Sequence, residues 1–324
     1  MRDLKTLYDN ETRLLHVCND IETNGILIDE DYVSAGLRYE EEETRKAKED
    51  FEAFTGRAYK DSSKLFAEIF TEHGIPFPRT GKGNPSFTGD FLDTVRAPAA
   101  ERIKKIRYHE KRASTYFLNY QKATLKGKIH PSMNQAGTVT GRFSYSNPNF
   151  QNVPKDDGDN PTNLRKCFIP PEGYDMLAID YEQQEYRIML DYAEQMDIID
   201  AVMSGHDLHQ ATADLLGVKR QTAKTLNFAI LYGTGAENLG HMLGCSKSEA
   251  QRIKQKYFRA LPHVSKLIHN IKKTGERSGF ITNRFGRVYC CDSFSMSYKL
   301  PNYLIQGTGA DVIKHAMVKI HDFL

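Results

Sequence analysis

The most chemically informative pattern in the sequence is a set of four side chains spaced four residues apart. The four are Arg220, Lys224, Phe228 and Tyr232, and Gly233 follows them. A step of four residues advances about 400° around an α-helix, so these side chains form one slowly drifting stripe. Two cations followed by two aromatic rings could hold a triphosphate at one end and stack a base or sugar at the other. Spacing alone also fits a surface helix with two buried aromatic rings.

A second candidate is a carboxylate at the end of a short apolar run. Residues 176–179 are apolar, and Asp180 follows them. Such a run predicts a buried strand with a functional residue at its carboxyl end. A carboxylate in that position suits Mg²⁺, which takes hard oxygen ligands and keeps several water molecules. The alternative is that Asp180 caps the helix that follows.

Helices must position most of these residues. Hydrophobic spacing predicts helical segments at 10–23, 30–54, 99–124, 182–204, most of 206–278, and from about 301 to the end. Segments rich in Gly, Pro and Asn at 73–90 and 137–163 predict irregular loops. Residues 281–289 predict a β-hairpin.

The composition is that of a globular protein of about two domains. Hydrophobic residues make up 40% of the chain, charged residues 27%, and the formal net charge is +2. No run approaches the roughly 20 apolar residues of a membrane helix, and the N-terminus lacks the apolar segment of a secretory signal. Five cysteines without a Cys-x-x-Cys pair favour a reducing compartment. These patterns predict a cytosolic protein that does not span a membrane.

Charge is distributed unevenly along the chain. Residues 101–130 contain nine Lys or Arg and two Glu, a local excess of seven positive charges. This basic run fits either a solvated helix face or a groove for a phosphate backbone. The acidic run at 40–43 is most simply a solvated surface, since basic residues of the same helix lie within i,i+4 reach.

Six motifs that span nearly the whole chain resemble, in order, those of family A DNA polymerases, the DNA polymerase I group. The stripe that ends at Gly233 is similar to the nucleotide-binding helix of that family, and residues 180–187 resemble its first catalytic-carboxylate motif. The other four lie at 61–65, 140–154, 205–209 and 306–311. The resemblance implies an α+β right-hand polymerase fold, with a mixed or antiparallel palm sheet and largely helical fingers and thumb.

The resemblance also implies catalytic roles. Asp180 is expected to bind Mg²⁺ together with the carbonyl of Tyr181, as part of a two-metal site for phosphoryl transfer. Lys224 is expected to act on the leaving pyrophosphate, and Arg220 and His209 to hold the outer phosphates.

Four further residues match family positions that bind the incoming nucleotide. Phe228 is expected to pack on the sugar, and Tyr232 to lie near the templating base. Glu185 matches the side chain that excludes a ribose 2′-hydroxyl and so favours deoxynucleotides. Gln183 is assigned to the same site.

DNA-binding residues follow from the resemblance as well. Arg142 and Gln306 match side chains that contact minor-groove acceptors, and Asn302 lies four residues before Gln306 on the same helix face. The phosphate backbone of the primer–template is expected to contact Lys111, Arg112, Ser62, Ser63 and Lys64.

The sequence departs from the family pattern in two places. Glu182 and Gln184 stand where bacterial members usually carry a small polar residue and an aliphatic one. The second catalytic Asp of the family lies in a His-Asp-Glu hairpin well beyond the Gln306 helix. His321-Asp322 is only fifteen residues past Gln306 and is followed by Phe323 instead of Glu, so we interpret this pair as a decoy.

Two functions are compatible with this departure. In the first, the chain is a DNA polymerase core whose palm is completed by a second polypeptide that carries the His-Asp-Glu hairpin. This would be a split phage polymerase, located in the cytoplasm of a bacterial host. The alternative is a non-catalytic primer–template-binding subunit. The resemblance divides the chain into an N-terminal palm-associated helix at 1–28, a thumb at 29–125, palm at 126–186, fingers at 187–290 and an incomplete second palm segment at 291–324.

Overall fold

Helices form most of the backbone, as the hydrophobic spacing predicts. The structure is a computed structural model that describes residues 4–155, 158, 160–291 and 293–324. The chain divides into two units. Unit 1 contains Met1–Ile21, Met133–Ser144 and Leu177–Leu324, and unit 2 contains Glu22–Ser132 and Tyr145–Met176.

The α-helices are, in chain order, α1 (Leu4–Asn24), α2 (Glu30–Thr55), α3 (Ser63–Glu72), α4 (Gly89–Thr94), α5 (Pro98–Lys111), α6 (Leu118–Ala123), α7 (Gln184–Ala193), α8 (Met196–Met203), α9 (Leu208–Leu216), α10 (Arg220–Leu231), α11 (Ala236–Leu243), α12 (Lys247–Ala260), α13 (Pro262–Ser278) and α14 (Leu300–Phe323). A π-helical segment, Arg112–Phe117, joins α5 to α6. The strands are β1 (Ile26–Ile28), β2 (Thr124–Leu125), β3 (Lys128–Ile129), β4 (Ser132–Asn134), β5 (Ser144–Ser146), β6 (Phe168–Ile169), β7 (Phe280–Thr282) and β8 (Val288–Cys290). The predicted α+β class is confirmed.

Unit 2 packs its long helices around two apolar cores and a small antiparallel sheet in the order β2-β3-β1-β6. Helix α2 begins where the Asp29 carboxylate accepts a hydrogen bond from the Tyr32 amide, and ends at Gly56 in the left-handed conformation. Gly36 is required inside this helix. A Cβ atom there would lie 2.3 Å from the ring of Phe117.

The first residue of the acidic run is buried, so the prediction of a solvated surface was wrong for Glu40. Its carboxylate is fully buried. Glu40 lies 2.6 Å from His109 Nδ1 and accepts a hydrogen bond of 2.6 Å from Arg112 Nε and another from the Thr162 hydroxyl. Helical spacing could not show this, because the partners that compensate the buried charge come from distant parts of unit 2.

We predict that Glu40→Gln lowers the free energy of unfolding by about 3 kcal/mol at neutral pH, because it leaves the Arg112 guanidinium buried beside a neutral amide. Burial alone would raise the pKa of the Glu40 carboxyl, but hydrogen bonds from the three partners lower it to about 2. Its stabilising effect is therefore present above the ordinary glutamate pKa and is lost as the pH falls towards 2. Urea denaturation at several pH values measures the difference.

The matched control is Glu41→Gln, because Glu41 is the exposed neighbour in the same acidic run. We expect it to change the free energy of unfolding by less than about 0.5 kcal/mol at any pH. Equal effects of the two substitutions would contradict a structural role for the buried carboxylate.

The basic run is largely neutralised inside unit 2. Five of its members pair with carboxylates: Arg102 with Asp50, Lys104 with Asp93 and Glu101, Lys105 with Glu43, Arg107 with Asp61, and Arg112 with Glu40. Lys111, Lys122 and Lys126 are exposed and have no ion-pair partner among the described residues. The local charge that unit 2 presents to a ligand is therefore smaller than the sequence suggests.

Unit 1 has its main core around α7, α9, α10, α12 and α13, where Tyr186, Leu226 and Tyr257 are buried. The predicted hairpin is confirmed as β7 paired with β8, with Ile281 opposite Tyr289. No helix among the described residues is long and apolar enough to cross a membrane.

A buried charged cluster joins α14 to the rest of unit 1. Arg287 donates hydrogen bonds to Asp311, with Nη2–Oδ1 at 2.6 Å, and also pairs with Glu11. Lys314 is fully buried and donates to Glu11 at 2.7 Å. Asp311, the last residue of the 306–311 motif, is therefore buried in this cluster and stabilises the packing of α14.

The predicted buried strand before Asp180 is wrong. Residues 174–181 have no regular secondary structure, and Leu177 and Ile179 are 81% and 77% exposed. A short apolar strand becomes ordered when a neighbouring strand pairs with its backbone and covers its face. No described residue does so here, which explains why the local apolar pattern failed as a predictor.

Candidate active site

The predicted stripe on α10 faces solvent. Arg220 and Lys224 are exposed, and the rings of Phe228 and Tyr232 are 37% and 47% exposed. The two rings lie nearly parallel, with an interplanar angle of 9° and centroids 6.4 Å apart. The opposite face of the helix is buried in the core of unit 1. The alternative of two buried aromatic rings is therefore excluded.

A cavity of about 260 Å³ lies beside the C-terminal half of α10. It brings together residues that are far apart in sequence. Those that the sequence analysis assigned to a site are Arg142, Tyr181, Gln183, Glu185, His209, Phe228 and Tyr232. The side chains of four separate motifs therefore line one concave surface of unit 1.

Glu185 lies between an aromatic hydroxyl and a cation. The Tyr232 hydroxyl donates a hydrogen bond of 2.9 Å to Glu185 Oε2, and Arg142 Nη1 lies 3.6 Å from Oε1. Burial, followed by the adjacent Glu185 charge, raises the pKa of Tyr232 to about 12. The phenol thus stays protonated and holds the carboxylate in place at the edge of the cavity.

Arg220 has a fixed partner at the N-terminal end of α10. Its Nε and Nη2 atoms donate to the two carboxylate oxygens of Asp207 at 2.9 and 2.7 Å. Asp207 also caps α9 by accepting from the Gln210 amide. The hydrogen bonds from Arg220 are the main cause that lowers the pKa of Asp207 to about 2. This pair orients the guanidinium at the start of the stripe.

Lys224 and His209 occupy the middle of the stripe. Lys224 has no ion-pair partner among the described residues and is exposed. His209 is almost completely buried, and its ring centroid lies 5.8 Å from that of Phe228. Burial lowers the pKa of His209 most, and the charges of Arg220 and Lys224 lower it further, while Asp207 opposes them. The site thus presents two basic side chains beside an imidazole whose pKa is held below its usual range.

Asp180 is exposed and lies one residue from Tyr181, which lines the cavity. Within the described ranges, no group of three or more His, Cys, Asp or Glu side chains is arranged to hold a metal ion. One carboxylate and one carbonyl fit a single Mg²⁺ that is completed by water and substrate phosphates. They do not by themselves supply a two-metal site.

The predicted decoy pair is bound to α1. Asp322 pairs with Arg13, and His321 Nε2 lies 2.7 Å from the Asp20 carboxylate. Both residues are on the last turn of α14.

Gln306 and Asn302 lie on α14 near the C-terminal end of α10. Asn302 Nδ2 is 3.5 Å from the Leu231 carbonyl. The Gln306 side chain is close enough to the Tyr232 hydroxyl to oppose the rise in its pKa that burial and Glu185 cause. Both side chains are half-buried, and they adjoin Leu231 and Tyr232, which line the cavity.

The residues of unit 2 that were predicted to contact the DNA phosphate backbone differ in their exposure to solvent. Ser63 and Lys64 are exposed on the first turn of α3 and line a groove, with the half-buried Ser62 just before them. Lys111 is also exposed. Arg112 is 5% exposed and held by Glu40. The assignment of Arg112 to DNA binding is therefore corrected, because its guanidinium is committed inside the unit.

The family model for DNA polymerase family A matches residues 33–324. The chain belongs to this family. Its resemblance to family A polymerases, inferred from six motifs, is confirmed.

Curated relatives in this family come from bacteria and phages. The chain is 31% identical to DNA polymerase I of Pseudomonas aeruginosa, over 99% of this chain and 38% of the relative. It is 32% identical to the thermostable DNA polymerase I of Thermus aquaticus, over 96% of this chain and 40% of the relative. Identity to the DNA polymerase of Mycobacterium phage L5 is 29%, over 98% of this chain and 53% of the relative. The chain thus spans about two fifths to one half of these family members.

A solved family A structure has the same fold. The POL domain of Pol1 from M. smegmatis, in complex with DNA primer-template and dNTP, superposes with a TM-score of 0.86 at 23% identity. The match covers 96% of this chain and 59% of that one. The predicted right-hand polymerase fold is confirmed by this likeness.

Sequence reasoning missed residues that pack behind the cavity-lining side chains and hold them in place. Asn227 and Thr212 are buried beneath His209, and Asp207 orients Arg220. One signal was present in the sequence. An Asn among the apolar residues on the inner face of a helix has to find hydrogen-bond partners when it is buried.

Proposed function

We propose that this chain is the core of a DNA-directed DNA polymerase that adds dNTPs to a primer 3′ end. The observation that carries the proposal is the ordered arrangement on α10, in which Arg220 and Lys224 precede two exposed stacked rings beside a cavity. A triphosphate fits the cationic end and a base with its sugar fits the aromatic end. We also propose a cytoplasmic location, in a bacterial host if the chain is phage-encoded.

Each residue has a distinct task in this proposal. Asp180 and the Tyr181 carbonyl would hold Mg²⁺, which when bound supplies activation of the primer hydroxyl and neutralisation of phosphate charge. Lys224 would stabilise the pyrophosphate as it leaves, since it is the cation in the stripe that pairs with no carboxylate among the described residues. Phe228 would pack on the sugar, and Gln183 would contact the nucleotide from the start of α7.

The primer–template would be bound by both units, each through its own surface. In unit 1, Arg142, Gln306 and Asn302 offer hydrogen-bond donors that suit minor-groove acceptors. In unit 2, exposed cations suit the phosphate backbone. These are Lys64, Lys111, Lys122 and Lys126.

We infer that the palm needs a further polypeptide segment, on a second chain, that carries another carboxylate. Two features support this. Asp180 belongs to no group of three or more His, Cys, Asp or Glu side chains that could hold a metal ion among the described residues. Leu177 and Ile179 expose apolar side chains on a backbone that no described strand pairs with, which is an edge that an added strand would cover.

The lack of a metal-binding group of three or more such side chains at Asp180, among the described residues, also favours a second candidate function, a non-catalytic subunit that binds primer–template. The two differ in one outcome. The polymerase adds nucleotides once the second carboxylate is supplied, and the binding subunit does not.

The test of the function uses sugar selectivity at Glu185. The chain, supplied with the completing hairpin, should extend a primer by the dNTP that is complementary to the templating base. We predict that Glu185→Ala lowers the preference for dNTP over the matching ribonucleotide about 10²-fold, because the side chain that blocks the 2′-hydroxyl is removed. Single-nucleotide extension measures kcat/KM for both substrates.

The control is Glu237→Ala, which removes an exposed glutamate of α11 that does not line the cavity. Its sugar preference should equal that of the wild type. Addition that ignores the templating base would contradict the proposed function. An unchanged preference in Glu185→Ala would contradict only the role given to Glu185.

A further inference from the structure

Asn227 is a buried polar residue on α10, directly before Phe228. It is 1% exposed. Its Nδ2 atom lies 2.9 Å from His209 Nδ1 and 3.2 Å from the Thr212 hydroxyl oxygen. Its Oδ1 atom has no hydrogen-bond partner among the described residues. Leaving Oδ1 unsatisfied in a buried site costs free energy, so the hydrogen bonds made by Nδ2 are expected to have a role that offsets this cost.

The hydroxyl of Thr212 determines which way the amide faces. Thr212 donates its proton to the Leu208 carbonyl at 3.0 Å, so its oxygen is left to accept. Asn227 Nδ2 is the donor that meets it. If the amide were turned round, two acceptor oxygens would face each other in a buried site, at a cost of about 1–3 kcal/mol.

The ring of His209 must then accept from Asn227. The second hydrogen of Nδ2 points to His209 Nδ1, and a neutral imidazole that accepts at Nδ1 carries its proton on Nε2. A protonated imidazolium would place two donors against each other. Nε2 has no partner among the described residues, and the ring lines the cavity.

We propose that Asn227 is a positioning residue that keeps His209 neutral and protonated on Nε2, so that the ring donates a hydrogen bond to the triphosphate of an incoming nucleotide. The inference rests on the proposed function. A neutral donor holds a phosphate oxygen without adding a third cation beside Arg220 and Lys224.

The groups around His209 are consistent with a neutral ring. Arg220 and Lys224 oppose protonation, while Asp207 and Glu182 favour it. Tyr186 and Phe228 contribute the two rings nearest to the imidazole, with centroids at 6.3 and 5.8 Å. Burial by these rings and the core has the largest effect and also opposes protonation.

The first measurement needs neither DNA nor activity. In the full chain labelled with ¹⁵N-histidine, long-range ¹H–¹⁵N correlation distinguishes the protonated ring nitrogen from the unprotonated one. The His209 signals are assigned by their loss in His209→Gln. We expect a single tautomer with the proton on Nε2 at about pH 7. A proton on Nδ1 in the wild type would overturn the inference.

Two substitutions test the cause. Asn227→Asp should place an acceptor at Nδ1, favour the imidazolium and raise the pKa of His209. Thr212→Val is nearly isosteric and leaves His209 and Asn227 in place, but it removes the acceptor that orients the amide. We expect it to produce a mixture of tautomers, and an unchanged single Nε2–H form would contradict the proposed arrangement.

Nucleotide binding provides the functional test. The dissociation constant of dATP is measured on the chain bound to a primer–template with a 3′-dideoxy end. For the wild type it should vary little between about pH 6 and 8. In Asn227→Asp, binding should be tighter at low pH and weaken as the pH rises through the raised pKa of His209. A flat profile in this variant, despite a protonated ring in the spectrum, would overturn the contact with the triphosphate. A wild type that binds no dATP but has the predicted tautomer would contradict the proposed function and not the arrangement of Asn227 and His209.

Discussion

Asp180→Ala is expected to lower primer extension by the completed enzyme about 10³-fold or more, because loss of a metal ligand removes charge stabilisation from the transferring phosphate. Asp180 is the exposed carboxylate that follows the apolar run and lies next to the cavity-lining Tyr181. Affinity for primer–template should change little, since the contacts proposed for DNA lie on other side chains. Single-turnover extension and a binding titration, made in parallel, measure both quantities.

The matched control is Glu182→Gln, two residues along the chain. The Glu182 carboxylate is exposed and lies 3.4 Å from Arg187. If Asp180 alone provides the metal ligand in this segment, the control retains extension within a few-fold of the wild type. Substantial residual extension in Asp180→Ala would contradict the assignment. Equal loss in both variants would show that the metal site also uses Glu182.

Lys224→Ala is expected to lower the rate of nucleotide addition about 10²-fold to 10³-fold, which is the usual cost of removing a positioned electrostatic group from a transition state. Lys224 is the cation of the stripe that no described carboxylate neutralises, and it is close enough to His209 to lower the pKa of that ring. Because the charge on pyrophosphate develops during the reaction, the maximal rate should fall more than the affinity for dNTP. Rapid-quench kinetics with varied dNTP concentration separates the two.

Lys219→Ala is the control for Lys224. Lys219 is an exposed lysine immediately before the first turn of α10, and it lies outside the stripe. Its removal takes away the same charge from the residue that precedes the same helix, and it should leave the maximal rate nearly unchanged. A similar loss in both variants would indicate a general effect of net charge in place of a specific role for Lys224.

The helices and the stripe were predictable because their determinants are local. The spacing of Arg220, Lys224, Phe228 and Tyr232 requires only helical geometry, and the structure places all four on or directly after α10. The hairpin at β7 and β8 likewise follows from a short turn-rich segment between two apolar runs. The residues of the cavity were predicted only from the family resemblance. Local spacing could not group them, because the cavity walls come from segments separated by more than 60 residues, as Arg142 and Tyr232 are.

The failures share a physical cause. Glu40, Arg112 and the segment before Asp180 each depend on partners that are distant in sequence or not among the described residues. A charged residue is predicted to be solvated when its ion-pair partner is distant in sequence, and this is why the burial of Glu40 was missed. A short apolar run is predicted to be a strand from its own residues, but it forms one only when a neighbouring strand pairs with it. No described strand does so at Leu177 and Ile179. Asn227 was overlooked because its proposed positioning role depends on hydrogen bonds to His209 and Thr212, and those residues are 15 or more positions away in the sequence.

The central claim is that this chain performs template-directed synthesis once a second carboxylate is supplied. The most direct measurement is primer extension by the purified full chain, alone and with a polypeptide that carries a His-Asp-Glu hairpin between two apolar strands. We expect the chain alone to bind primer–template in a salt-dependent manner and to extend it at background level, and the added hairpin to restore extension that follows the template. Extension by the chain alone that is abolished by Asp322→Ala would contradict the interpretation of His321-Asp322 as a decoy. Intact binding with no extension under either condition would contradict the claim itself and favour the non-catalytic subunit.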